Sequence, residues 1–383
     1  MTAARFLQIH TLHSYTAALL NRDDTGMAKR LPYGDAPRTR ISSQCLKRHW
    51  RTADTDPHSL HAIDGVEQAY RSRELVTDMV IGPLRGQYAD DIVDALEPAF
   101  QTKVYGEKAD KGKKSRQTLL LGAPEIAWLA HEADRLAASA DGAEAAQAAV
   151  ADWAKSFKDN IKALREATAL PGGLTSALFG RMVTSDPAAN IDAPVYVAHA
   201  FTVHAEEAES DYFTAVDDLK RDEDDSGADT IQETELTSGL FYGYVVVDLP
   251  GLIANCGGQR DLAGHVVHNL THLIAEVSPG AKLGSTAPFG RADLMLVEAG
   301  SRAPRSLAGA YRRAVAHDRD SAVAALDGHL ARLDETYETG ETRRYLSLSD
   351  VPLNGPETSG LARLSLKGLA EWAAGHAKDA PDA

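Results

Sequence analysis

Residues 5 to 12, Arg-Phe-Leu-Gln-Ile-His-Thr-Leu, form an apolar-rich run bounded by polar Ser-Tyr-Thr sequence, which predicts a first strand. A polar loop over 21 to 40 follows. Ser42 and Ser43 then offer a helix N-cap, Leu46 and Trp50 stand four apart on one face, and Asp54-Thr-Asp-Pro57 closes the pattern, so a first helix is expected there. From about 56 to 192 the texture turns Ala-rich and helix-periodic, with Trp153, Phe157, Ile161 and Leu164 recurring at helical spacing, and a packed helical insertion is expected. Strand texture returns at 195 to 204 and at 239 to 249; a helix near 259 to 277 and a strand near 292 to 298 follow. A helix near 306 to 333, an extended stretch near 343 to 352, an amphipathic helix near 360 to 375 and a disordered tail from Lys378 complete the expectation.

Stripped of insertions, the order is strand, helix, strand, strand, helix, strand, which is the ferredoxin-like arrangement also used by RNA-recognition modules. The fold class expected is therefore α+β: a ferredoxin-like core with a large helical insertion and a long hairpin insertion. The segment 205 to 237 between the two middle strands far exceeds the two to five residues of an ordinary hairpin loop.

Composition changes this picture in two ways. Among 383 residues, 40 Lys and Arg stand against 55 Asp and Glu, a net −15, which argues against coating nucleic acid by bulk charge. Only a local basic patch can reverse that. Two cysteines, Cys45 and Cys256, build neither a disulfide framework nor a four-cysteine zinc site, and with no membrane-length apolar run or leader pattern the expectation is a cytoplasmic protein.

The local reversal exists. Between 22 and 51 lie eight cations, Arg22, Lys29, Arg30, Arg38, Arg40, Lys47, Arg48 and Arg51, against Asp23, Asp24 and Asp35. On the first helix Lys47 and Arg51 are four apart and Arg48 and Arg51 three apart, so they edge one side while Leu46 and Trp50 face inward. Ser42, Ser43 and Gln44 stand at its N-terminus, where free N–H groups favour an anion. The bland alternative is a solvated basic face. A second basic run, Lys103, Lys108, Lys111, Lys113, Lys114 and Arg116, reads as a mobile loop, binding nucleic acid by long-range charge or binding nothing.

The 205 to 237 protrusion carries 13 acids, yet Tyr212, Phe213 and Val216 suit either a wedge between stacked bases or a small local core. His265, His268 and His272 share a helix face without the His-Glu-x-x-His pattern, and exposure on the polar side is expected, with no metal and no cofactor. Asp23 and Asp24, paired carboxylates in a basic loop, raise metal-assisted phosphodiester cleavage as an alternative chemistry.

Seven motifs occur in order: Asn21-Arg-Asp-Asp24, Arg40-Ile-Ser-Ser-Gln-Cys-Leu-Lys-Arg48, Gly180-Arg-Met182, His199-Ala-Phe-Thr-Val-His204, Asp211-Tyr-Phe-Thr-Ala-Val-Asp-Asp-Leu219, Ser238-Gly-Leu-Phe-Tyr242 and Pro279-Gly-Ala-Lys282. Together they closely resemble the CasC family, the repeated backbone subunit of the type I-E CRISPR Cascade complex, over residues 5 to about 375. The resemblance implies a palm in three parts (1 to 55, 181 to 204 and 238 to 383), helical fingers at 56 to 180 and a thumb at 205 to 237. It implies a non-catalytic subunit that polymerises along a CRISPR guide RNA and presents it in segments to target DNA, with copies of itself and other Cascade subunits as partners. Arg22, Arg40, Ser42, Gln44, Lys47, Arg48, Arg51, Arg181, Met182 and Lys282 are implied RNA contacts, and Tyr212, Phe213 and Val216 the thumb wedge. Cys45 stands where the family leads one to expect serine. The rivals are a metal-dependent endoribonuclease of the same superfamily using Asp23 or Asp24, and a structural polymer that binds no nucleic acid.

Overall fold

The computed structural model describes residues 3–107, 109–168, 170–215 and 230–382. Its chain order begins β1 (Phe6–Ala18), β2 (Arg30–Tyr33), β3 (Ala36–Ile41), α1 (Ser43–Arg51), β4 (Ala69–Ser72) and α2 (Asp90–Tyr105). It continues β5 (Leu119–Gly122), α3 (Ala123–Ala138), α4 (Ala143–Ala167), α5 (Gly173–Phe179), β6 (Val195–Val197), β7 (Ala200–Thr202), β8 (Ala208–Ala215) and β9 (Thr230–Asp248). It closes α6 (Leu249–Asn255), α7 (Arg260–Glu276), α8 (Leu283–Thr286), β10 (Ala292–Gly300), α9 (Arg319–Tyr337), β11 (Thr342–Ser347), β12 (Ala362–Arg363) and α10 (Leu366–Lys378).

The chain divides into two compact units, one comprising 1–60, 196–249 and 264–381 and the other 61–195, 250–263 and 382–383. In the first, the sheet runs β12-β11-β10-β1-β9-β7-β3-β2. Its four inner strands β10-β1-β9-β7 are mutually antiparallel. Numbered by their succession in the chain they lie in the order 4-1-3-2, the ferredoxin-like arrangement. β1 is central because both its faces are apolar or hydrogen-bonded. Leu12 joins Leu240, Tyr242, Leu294 and Leu296 and, from α9, Val323, Leu326 and Leu330 in one core, while Thr11, His13 and Tyr15 meet Leu46 and Trp50 of α1 and Ile274 of α7 around a small cavity.

A hairpin stands within the expected 21 to 40 loop. β2 and β3 pair from Arg30 opposite Thr39 to Tyr33 opposite Ala36, and β3 joins the sheet edge at β7. Pro32, Gly34 and Pro37 hide its alternation. Gly34 takes φ +66°, and a Cβ there would lie 1.6 Å from the Arg312 carbonyl oxygen, so only glycine turns the chain at this point. The expected helix from 306 begins instead at Arg319, where Asp318 caps it by accepting from the Ser321 N–H at 2.8 Å.

The second unit is built on α2, α3 and α4, whose facing aromatics form its core: Phe100 stacks on Trp153 at 4.2 Å between centroids, and Phe157 meets Trp153 edge-on at 5.2 Å. The helical spacing of Trp153, Phe157 and Ile161 thus places all three inside. No helix among the described residues is long and apolar enough to cross a membrane.

Candidate nucleic-acid interface

Helix α1 is a short amphipathic element held by its ends. Ser42 adopts extended backbone, φ −69° and ψ 147°, and its Oγ accepts from the Cys45 N–H at 3.3 Å. Leu46 and Trp50 are buried, each contributing roughly 1.5 to 3 kcal/mol relative to exposure. No acid lies in its first turn, and Arg48, His49 and Arg51 fill its last, where the dipole favours cations. Gln44 and Arg48 are exposed, and Lys47 and Arg51 half-buried. Burial holds the Lys47 ammonium below its ordinary pKa.

Three of the sequence motifs converge on this helix. The Asn21 side chain accepts from the Ser42 N–H at 2.8 Å, tying the 21 to 29 loop to the cap. The loop is itself organised: Asp23 Oδ1 accepts from the Thr25 N–H at 2.9 Å, the Thr25 hydroxyl at 2.7 Å and the Met27 N–H at 3.1 Å. The hydrogen bond from Thr25 keeps the Asp23 carboxyl below the usual range. At the other end of α1, His49 contacts Cys45 O through Nδ1 at 2.8 Å, and the Gly280 N–H points at His49 Nε2 at 3.3 Å. The Ala281 N–H donates to Leu19 O at 2.9 Å. The turn before Lys282 is therefore fixed to the residue that follows β1 and to α1, and Lys282 itself stands in the left-handed region at φ +50°.

The eight cations of the basic stretch separate by role. Arg38 is a staple of the core: fully buried, it donates to Val203 O at 2.7 Å and Tyr311 O at 3.0 Å. Arg30 is neutralised by ion pairs with Glu206 and Glu235. Arg40 reaches the His199 ring at 3.1 Å; burial, then the charges of Arg40 and Lys29, hold His199 below its ordinary pKa. Arg22 is exposed on the loop. Arg22, Lys29, Arg40, Lys47, Arg48 and Arg51 make a cationic rim about the N-terminus and outer side of α1, suited to an anionic polymer backbone.

Sequence reasoning passed over four positioning residues. Glu235, counted among the protrusion's acids, accepts from the Ala28 N–H at 2.9 Å and so anchors the basic loop to β9. His49 fastens the 279 to 282 turn. Ser238 accepts from the N–H of Ala17, which stands at φ +46° where β1 turns into the loop, at 2.9 Å. Asn21 fastens the cap. All but Glu235 and His49 lie inside the quoted motifs; for His49 the available signal was its spacing four residues after Cys45.

Arg181, an RNA contact on the resemblance, is 6% exposed, donating to Ala189 O at 2.9 Å and ion-paired with the fully buried Glu125. Glu125 is also held by Arg165 at 2.7 Å. A buried carboxylate demands paired cations, and Arg181 is one of them. Met182 beside it is 68% exposed. In the second basic run Arg116 donates to Ala109 O at 2.9 Å and Lys113 pairs with Glu74, while Lys108 lies outside the described residues.

The 205 to 237 protrusion is a hairpin at its base: β8 and β9 pair from Ala208 opposite Thr237 to Ala215 opposite Thr230, with Tyr212 opposite Glu233 and Phe213 opposite Gln232. Val216 and the acidic run 217–229 lie outside the described residues. On α7 the histidines do not share the exposure expected of them. His265 is exposed, but His272 is buried because His58, from the loop after α1, stacks on it.

Fold and site together define a ferredoxin-like domain enlarged by a helical insertion and a long hairpin, with a cation-rimmed helix gripped by two turns. The chain belongs to the CT1975-like protein family, whose profile matches residues 7–372. It is similar to a chain of a solved structure described as a CRISPR RNA-guided surveillance complex, pre-nicking, with TM-score 0.79 and 27% identity over 97% of this chain and 100% of that one. It shares its fold with a chain of a second structure, described as a CRISPR RNA-guided surveillance complex, with TM-score 0.59 and 22% identity over 97% of this chain and 99% of that one. No curated protein matches it.

Proposed function

We propose that this protein is a non-catalytic, guide-RNA-binding backbone subunit of a type I-E CRISPR surveillance complex in the cytoplasm, polymerising along the guide with copies of itself and other subunits. The observation that carries this reading is the convergence on α1: loop 21 to 29, the Ser42 cap and the 279 to 282 turn are hydrogen-bonded into one cation-rimmed surface. Such a surface grips phosphate without reading bases, as a subunit serving any guide sequence must, and pairing with target DNA then supplies specificity. The similarity to a chain of an RNA-guided surveillance complex over its whole length supports the same reading, and the seven motifs in order favour the type I-E class. Residues 56 to 180 serve as the fingers and 205 to 237 as the thumb, whose Tyr212, Phe213 and Val216 wedge against the guide.

Charge reversal tests the surface. Lys47→Glu, Arg48→Glu and Arg51→Glu each weaken binding of single-stranded RNA irrespective of sequence, and each lost phosphate contact flattens the log–log salt dependence by about 0.7. Unchanged slope and affinity in all three remove the α1 surface from the account.

The endoribonuclease reading places a metal on Asp23 or Asp24. Three donors of its own loop already hold Asp23 Oδ1, which favours a loop-organising role. RNA incubated with the full chain and Mg2+ or Mn2+ stays intact on this account; cleavage that disappears in Asp24→Ala would establish the enzyme instead.

A further inference from the structure

Helix α7 carries His272 and Glu276 one turn apart, and the loop after α1 lays His58 on the His272 ring with centroids 3.6 Å apart and planes 5° from parallel. His272 is 7% exposed. Its Nδ1 lies 3.2 Å from Glu276 Oε2, while its Nε2 is buried with no hydrogen-bond partner. His58 Nδ1 is buried and equally without a hydrogen-bond partner, Asp56 Oδ1 standing 3.7 Å away, beyond hydrogen-bond reach. A neutral imidazole has one N–H and one lone pair. When His272 gives its Nδ1–H to Glu276, the Nε2 lone pair has no donor to meet it, an expensive arrangement in a buried place.

We propose that His58, His272 and Glu276 form a binding site for a divalent transition-metal ion of the imidazole-preferring kind, with Zn2+ as the plain example. One donor atom from each residue lies within 4.8 Å of the others, close enough for small movements to bring all three to coordination distance. Imidazole nitrogens together with a carboxylate oxygen are a donor set such ions take. The cluster opens onto a groove of about 640 Å³ lined by Leu348, Arg363 and Leu364 among others, which admits the ion and the water that completes four-coordination. Parallel rings do not aim their lone pairs at one point, so binding turns the half-buried His58 off the stack; its place on a loop permits that. Arg291 holds the second Glu276 oxygen at 3.3 Å and yields as the ion arrives, its side chain being 79% exposed. His268, with its ring 5.0 Å from His272, flanks the site. The bound ion clips the loop that follows α1 to α7.

The test uses the full chain stripped with a chelator and titrated with Zn2+ by calorimetry, with Co2+ as an absorbing probe. One equivalent binds, the melting temperature rises with Zn2+ concentration, and Co2+ develops ligand-field absorption. His58→Ala, a loop substitution that leaves the core intact, and Glu276→Gln each weaken Zn2+ binding at least about tenfold. His265→Ala, exposed on the same helix, leaves it unchanged. Absence of saturable uptake, or a His58→Ala protein that binds Zn2+ as tightly as the unsubstituted chain, overturns the proposal.

Discussion

Ser42 fastens α1 twice, once through its own hydroxyl on the Cys45 N–H and once by giving its N–H to Asn21. Ser42→Ala removes only the first, so it lowers stability by about 1 kcal/mol in a urea titration, as loss of a cap does. Asn21→Ala removes the second and releases the basic loop from the helix. It therefore weakens RNA binding more than it lowers the urea midpoint, and the reverse order would show that the tether serves folding alone. Individual residues were legible where a motif named them: Ser42 and Lys47 stand in the quoted segments and take part in the surface. They were illegible where burial decides. Arg38 and Arg181 look like surface cations in a sequence, yet one is a fully buried staple and the other answers the buried Glu125. Local spacing offers Arg38 only the exposed Asp35 three residues before it; the carbonyls of Val203 and Tyr311 that hold it buried, and the Glu125 that holds Arg181, are remote in sequence.

Among the elements, the inner strands and α7 followed from periodicity, since each has a long apolar face. The β2–β3 hairpin did not, because its edge strands carry Pro32, Pro37 and charged positions in place of alternation. That hairpin depends on one glycine. Gly34→Ala puts a Cβ against the Arg312 carbonyl in a left-handed backbone, and it destabilises the protein by more than about 1 kcal/mol, measured as a shift in urea midpoint. A neutral effect would mean that the turn has another conformation. The protrusion is the other element whose length spoke before its structure did: 33 residues between paired strands are too many for a turn, and its base is indeed a ladder of β8 on β9.

For the whole molecule, buried ionisable groups make stability depend on pH. Burial pushes His13 down to about 4, against an ordinary 6.5, so the unfolded chain takes up a proton that the folded chain refuses until about pH 4. The contribution is therefore complete above 6.5 and is lost as pH falls from 6.5 to about 4, by about 3 kcal/mol. Burial alone would raise Glu298, but the hydrogen bond from His10 and the charges of Arg305 and Arg343 carry it down from 4.5 to about 2. Its share is kept above 4.5 and lost only as pH drops toward 2. Urea titrations at pH 7.5, 5.5 and 4.5 show the decline, and His13→Leu flattens part of it; an unaltered pH profile would contradict the assignment to His13.

The net −15 and the cationic rim coexist because charge is sorted by place. A chain that is acidic overall repels nucleic acid except where its cations are gathered, and they are gathered where loop, helix and turn meet. The measurement that tests this most directly is to isolate the tagged protein from its own host, extract nucleic acid and run it on a denaturing gel. The account predicts a discrete short RNA containing repeat and spacer sequence, with other subunits of the complex co-purifying, and its loss from a protein carrying Lys47→Glu and Arg51→Glu. A folded, assembled sample that carries no RNA, and whose assembly survives both ribonuclease and the charge reversals, would contradict it and leave a structural polymer in its place.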